Sequence, residues 1–486
     1  MTKKARYITT TLPYVNADPH IGFALEMVQA DALARFWRLQ GDDVFFTTGT
    51  DEHGQKIFEA AQKEGEDPQT YVDRYAASVQ RLKETLNLSY DTFIRTTDDH
   101  HKSAAQELWK RCDAAGDIYK KKYEGSYCVG CEKFLTEKDL VDGKCPLHPS
   151  KEPVMLEEEN YFFKLSKYQD RLKEYLSRED IIIPDFRRKE ALAFVEAGLE
   201  DFSVSREKER MSWGVPVPGD DSQVMYVWFD ALTNYISTLG WPEDAEGNFE
   251  KFWKNGETLQ MAGKDQVRFQ SIMWQAMLMS ANVKTTDKVF YHGFINSGGQ
   301  RMSKSLGNVI SPFDLVEKYG VDATRYILLR HVHPTDDTDI TWERMDEWYE
   351  ANLVNGLGNL VARVMQLAEK HLESPVGESL LGRDLFETDK YTKAMDGFEF
   401  SDATGLVWQA IAGMDERIQG TEPFKLVKSE DADKQFEGRQ IITELVILLF
   451  WLSRYLEPFM PETAEKIKKA IKENKKPENL FPRLEK

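Results

Sequence analysis

The sequence predicts an α/β protein built on a parallel sheet, interrupted by an inserted domain and followed by an all-α domain. Three observations carry this: a strand-then-helix rhythm over the first hundred residues, its break into Cys-, Gly- and Pro-punctuated segments between about 117 and 225, and amphipathic helical spacing from about 345 onward. At 486 residues the chain is too long for one ordinary core, so several structural units are expected.

Taken in order, Arg6 to Leu12 alternates β-formers, Pro13, Asn16, Asp18 and Pro19 mark a loop, and Ile21, Leu25, Val28, Ala32 and Phe36 recur at helical spacing. A second apolar run, Val44 to Thr48, ends at Gly49 and precedes a helical stretch from about Gln55, which makes the first hundred residues read as half a nucleotide-binding fold. Within the insert only Lys167 to Leu176 has clear helical spacing, and the α/β pattern resumes near Met225. Beyond residue 345, Leu353, Leu357, Leu360 and Val364 line one helix face, and the run Leu445 to Leu452 reads as a buried helix segment.

Composition narrows the function classes. Apolar residues at 41% and charged residues at 30% support packed cores and exclude extensive disorder. No apolar run reaches membrane-spanning length and no apolar segment follows Met1. Four cysteines in so long a chain do not make a disulfide framework and fit a reducing cytoplasm. The net charge of −19 weighs against nucleic-acid binding unless basic residues cluster, and the lysines from Lys466 to Lys476 read as a solvated helix face.

Two motifs carry phosphate chemistry. His20-Ile21-Gly22-Phe23 lies where a loop enters a helix, where free backbone N–H groups and the positive dipole end can receive a phosphate; Gly22 leaves the approach open and His20 can donate to an oxygen. Far downstream, Arg301-Met302-Ser303-Lys304-Ser305 lies between Gly298-Gly299 and Gly307-Asn308, a flexible basic loop able to close over a triphosphate and neutralise a leaving pyrophosphate. In the insert, Cys128-x2-Cys131 is followed after thirteen residues by Cys145-x2-His148, the spacing of a closed tetrahedral zinc site. Four protein ligands leave no open position, so one structural Zn²⁺ is expected, with Cys112 outside the set.

Together the two phosphate motifs resemble the signature pair of class I aminoacyl-tRNA synthetases. Thr11-Leu12-Pro13-Tyr14-Val15-Asn16, Thr50-Asp51-Glu52-His53-Gly54, Trp213-Gly214-Val215-Pro216-Val217-Pro218, Tyr226-Val227-Trp228-Phe229-Asp230-Ala231 and Gly263-Lys264-Asp265 resemble the methionyl-tRNA synthetase family. The resemblance implies a Rossmann-like catalytic domain with a zinc-bearing connective insert and an all-α anticodon-binding bundle. The expected boundaries are 1–116 and 226–290 for the two catalytic halves, 117–225 for the insert, 291–345 for the signature loop and stem-contact region, and 346–486 for the bundle.

It further implies ATP, bound with Mg²⁺, at His20, Gly22, Phe23, Gly263, Asp265, Arg301, Met302 and Lys304, with Ser303 and Ser305 assisting catalysis. Asp51 and Arg206 would meet the amino acid's charged ends, and Leu12, Tyr14, Trp228, Tyr235, Phe269 and Gln270 its thioether, where aromatics suit a polarisable sulfur. Asn359, Arg363 and Phe424 match residues facing the anticodon of tRNA(Met). Four positions depart from the family pattern: Phe23 ends the first signature in place of His, Arg301 leads the second in place of Lys, Gln270 stands where His is usual, and Phe424 replaces a stacking tryptophan. A monomer is expected, because the chain stops soon after the helical domain. The alternatives are a sister class I synthetase, disfavoured by the small insert, and a non-catalytic tRNA-binding relative.

Overall fold

The computed structural model describes residues 3–129, 133–135, 139–146, 148, 151–302, 307–382 and 388–484. Cys131, Ser303, Lys304 and Ser305 lie outside the described residues. The chain forms two compact units, one of Met1–Pro19, Gly41–Lys83 and Tyr90–His292, the other of His20–Gln40, Glu84–Ser89 and Gly293–Lys486.

The first unit is organised by a six-stranded sheet made of β1 (Ala5–Thr9), β2 (Asp43–Thr50), β3 (Thr92–Arg95), β4 (Ile182–Ile183), β5 (Glu257–Gly263) and β6 (Lys288–His292). Its order is β3-β2-β1-β5-β6-β4 and every neighbouring pair is parallel. Near-continuous burial along the central strands, through Tyr7 and Ile8 of β1, Leu259, Met261 and Ala262 of β5, and Val289 to Tyr291 of β6, is what a parallel sheet covered on both faces requires. The chain leaves β1 outward to β2 and β3, then returns on the other side to β5 and β6. That reversal makes β1/β5 the switch point, where a crevice opens beyond the carboxyl ends of the strands.

The Cys-rich segment pairs Ile118–Cys128 antiparallel with Val154–Phe163, flanked by Lys133–Leu135 and Phe202–Ser203. The expected helix appears as Gln169–Ser177, joined by an unexpected one, Asp185–Glu196, which buries Ala191 and Val195. Between them Ile182–Ile183 returns to the main sheet as an edge strand beside β6.

In the second unit, helix Ile21–Leu39 carries Ile21, Leu25, Val28, Ala32 and Phe36 buried at the expected spacing. The sequence suggested one apolar face, yet Glu26, Gln29 and Asp31 are buried too. Asp31 is tolerated because Arg35 Nε and Arg325 Nη2 both lie 2.7 Å from its Oδ2, while Ser89 binds its Oδ1. Helices Val321–Arg330, Asn359–His371, Phe400–Thr421, Ala432–Leu456 and Pro461–Glu473 dominate the remainder, and Leu445 to Leu452 lies inside Ala432–Leu456 as expected.

Candidate active site

The amino-acid residues named from sequence gather at the carboxyl end of the sheet. Leu12 and Tyr14 follow β1, Asp51 follows β2, and the two loops are laced together: Asp51 N donates to Pro13 O at 3.0 Å and Val15 N to Asp51 O at 3.2 Å. Across the crevice walls, Trp228 and Phe269 stack with centroids 3.8 Å apart and planes 13° from parallel. Gln270 Nε2 donates to the Tyr235 hydroxyl oxygen, and both residues are buried. The Gln270 Oε1 atom is buried without a hydrogen-bond partner among the described residues.

Gly263 closes β5. A Cβ there would stand 2.9 Å from Asp265 Oδ1, so only glycine leaves the Asp265 carboxylate its place at the strand end. Arg206 is buried, donates to Ser203 Oγ and Ser205 O, and lies over the Tyr226 ring at 4.5 Å. It lines a cavity with Gln55, Tyr127, Glu158, Arg210 and Tyr226, of which the sequence reading named none as a site residue.

Sequence reading also missed what holds the loop after β2. Glu52 is fully buried and receives both guanidinium arms of Arg95 at 2.7 and 2.9 Å, with further donation from Thr50 at 2.6 Å and from Thr97. Trp213 Nε1 donates to Glu52 O at 2.6 Å, and His53 Nδ1 lies 2.6 Å from Asp230 Oδ2. The available signal was charge: three ionisable residues in succession, Asp51, Glu52 and His53, inside a predicted strand-end loop.

The phosphate motifs belong to the second unit. His20, an exposed residue, caps helix Ile21–Leu39, its Nδ1 accepting from Gly22 N at 3.1 Å, which puts the ring proton on Nε2. A Cβ at Gly22 would meet the His20 ring at 3.0 Å. Phe23 is half-buried in the same turn. Arg301 ends a short antiparallel hairpin with Ile295–Ser297, its guanidinium 4.6 Å from the Phe294 centroid. Met302 follows it, half-buried, and Asn308 Nδ2 reaches back to Arg301 O at 3.4 Å. Gly298, Gly299 and Gly307 have φ of +64°, +75° and +64°, the left-handed region that glycine enters without strain.

In the insert, Cys128 Sγ and Cys145 Sγ stand 3.9 and 4.0 Å from His148 Nδ1, and the three ligand atoms lie within 4.8 Å of one another. Metal bonds of roughly 2.1–2.3 Å in a tetrahedron put such atoms about 3.6 Å apart, so the cluster fits one ion. Among the described residues both cysteines are buried in a small cluster with Leu135, against which Leu140 packs. Cys112, by contrast, is buried in the main core, where burial pushes its thiol up to about 12.

In the helical region Asn359 is exposed and Arg363, one turn later on helix Asn359–His371, pairs with Asp415 at 2.7 Å. Phe424 is 36% exposed on the short helix Pro423–Leu426.

Residues 6–152 and 148–365 match the family described as tRNA synthetases class I (M). Over 98% of its length the chain is 39% identical to the methionine–tRNA ligase of Fusobacterium nucleatum, covering 76% of that protein. The chain belongs to the methionine–tRNA ligase family. The ligase of Brucella suis is 40% identical over 96% of this chain and 92% of its own. The family's Mycobacterium tuberculosis synthetase, solved in complex with methionyl-adenylate, superposes with a TM-score of 0.88 at 38% identity, covering 96% of this chain and 93% of that one. Among the described residues of this family member no helix is long and apolar enough to cross a membrane.

Proposed function

We propose that this chain activates L-methionine with ATP and esterifies it to the 3′ end of tRNA(Met), releasing pyrophosphate and AMP. The observation that carries this reading is the strand-end pocket, where the Trp228–Phe269 stack and the Tyr235–Gln270 pair stand in one unit with the loop of buried Asp51. Asp51 opposes the substrate ammonium and Arg206 its carboxylate; the aromatic pair packs against the thioether. Gln270 Nε2 donates to the Tyr235 oxygen and so holds the phenol in place, and the Tyr235 hydroxyl makes the polar contact with the sulfur. One methylene is worth only about 1–3 kcal/mol, so that polar contact supplies discrimination that size cannot.

The reaction needs no nucleophilic side chain. A methionine carboxylate oxygen attacks the α-phosphorus of ATP, which enters as its Mg²⁺ complex, and the bond to the β-phosphate's bridging oxygen breaks. The 3′-terminal ribose hydroxyl then attacks the acyl carbon and AMP leaves. Gly263 and Asp265 receive the adenosine; His20, through Nε2–H, with Gly22 and Phe23 receives phosphate oxygens at a helix start, and Arg301 and Lys304 neutralise the departing pyrophosphate while Ser303 and Ser305 donate hydroxyls and Met302 completes the loop. Catalysis is positioning and electrostatics.

Cys128, Cys131, Cys145 and His148 hold one Zn²⁺ that ties down the insert. Asn359, Arg363 and Phe424 read the anticodon by hydrogen bonding and stacking. The protein acts as a cytoplasmic monomer. Charging of tRNA tests the reading: labelled methionine should become acid-precipitable with tRNA(Met) and ATP, and charging with another amino acid in its place would overturn it.

A further inference from the structure

Beneath the pocket lies a buried ionisable group that the reaction above leaves unused. Asp230 is fully buried, with His53 Nδ1 2.6 Å from Oδ2 and His101 Nε2 2.8 Å from Oδ1. Burial alone would raise its pKa, but the charge of His53 and the hydrogen bonds from His101 and His53 outweigh it and hold the carboxyl at about 2. A buried carboxylate kept ionised between two rings on different elements fixes both rings in space.

Two members of this cluster sit two residues from a pocket residue, and the third, His101, contacts a residue that does. His53 follows Asp51, on the loop laced to Pro13 and Val15 around Tyr14. Asp230 follows Trp228 on helix Val227–Leu232. His101 Nδ1 lies 2.9 Å from Ser237 Oγ, and Ser237 follows Tyr235 on helix Asn234–Ser237. The loop after β2 therefore alternates: Asp51 beside Tyr14, Glu52 clamped by Arg95, and His53 to Asp230, with the Trp213 ring edge-on to His53 at 5.5 Å.

We propose that Asp230, bracketed by His53 and His101, is the positioning residue of the amino-acid pocket, setting the placement of Asp51, Trp228 and Tyr235 and thereby affinity for the amino acid. This rests on the reading of the chain as a methionine-activating enzyme. The cluster acts through other residues and touches no reacting atom, so its signature is in the amino-acid constants and not in those of ATP.

The geometry selects the variants. His53→Leu and His101→Leu delete a donor and keep bulk. His53→Asn places an amide N–H where Nδ1 donates, and His101→Gln does so for Nε2. In ATP–pyrophosphate exchange, each leucine variant should raise KM for methionine by ~10-fold or more, because the displaced pocket loses binding felt equally in ground and transition states, while KM for ATP and kcat stay within about threefold. The Asn and Gln variants should return KM for methionine to within about threefold of the parent. Equal KM values in leucine variants and parent, or equal losses in apolar and polar variants, would overturn the proposal. Where a leucine variant fails to fold by circular dichroism, Asp230→Asn decides: it keeps the shape but not the double acceptor, and an unchanged methionine KM again counts against positioning. A parent that exchanges pyrophosphate without methionine specificity sinks the functional reading, and the proposal with it; an active parent with indifferent variants sinks the positioning role alone.

Discussion

Replacing Arg325 by leucine should destabilise the second unit by about 4 kcal/mol. The guanidinium is fully buried, donates to Phe459 O and Pro458 O at 2.9 Å, to Leu86 O at 3.0 Å and to Asn87 O at 3.4 Å, and meets Asp31 Oδ2 at 2.7 Å. Burial lowers its pKa, yet Asp31 is held below the usual carboxylate range because Arg325, Arg35 and Ser89 outweigh its own burial, and the pair stays ionised. Leucine removes every one of these donors. Asp31 keeps Arg35 and Ser89, which puts the ion-pair loss at the low end of about 3–5 kcal/mol. Three buried carbonyls left without a donor add roughly 1 kcal/mol each, and the apolar burial of leucine returns about 2. At roughly 2–4 °C per kcal/mol for a unit of this size, the transition should fall by about 8–16 °C in scanning calorimetry. A shift under about 3 °C would refute the idea that Arg325 ties helix Ile21–Leu39 to the segment around Pro458 and Phe459.

Four further outcomes follow from the geometry. Gly22→Val drives a branched side chain into the His20 ring and should lower methionine activation by ~100-fold with little change in melting temperature, read by pyrophosphate exchange. Trp228→Ala removes one face of the stack with Phe269 and should raise KM for methionine by roughly 10-fold at unchanged KM for ATP. Elemental analysis should find one equivalent of zinc in the parent and none in Cys145→Ala, whose insert should also become protease-sensitive, whereas Cys112→Ala should keep the parent's metal content. Asp230, with a folded pKa of about 2 against an ordinary value of 3.8, contributes stability that is fully present above pH 4 and lost as pH falls through 2; urea titrations should show about 2 kcal/mol of acid destabilisation over that range that Asp230→Asn lacks.

The sheet and its pocket were legible in the sequence to the extent that they are local. Strand, Pro-marked loop and helix in succession placed Leu12, Tyr14 and Asp51 at strand ends, and the phosphate motifs announced a helix start and a glycine-flanked loop. Contacts across long separations were not legible. His101 meets Asp230 from 129 residues away, in a helix whose own pattern offers no motif. Nothing local marks Asp31 for burial, and Arg325, which pairs with it, lies far along the chain. Ile182–Ile183 is too short for any periodicity to reveal, and only pairing with β6 makes it a strand. The expected strand through Leu12 stops at Thr9, because the chain must leave the sheet to carry Leu12 and Tyr14 into the crevice.

The most direct test is amino-acid-dependent ATP–pyrophosphate exchange by the purified protein, with methionine compared against leucine, isoleucine, valine and cysteine and with Lys304→Ala as control. Exchange with methionine alone, strongly reduced in the variant, is the predicted result; exchange driven equally by another of the four, or none from folded protein, would contradict it.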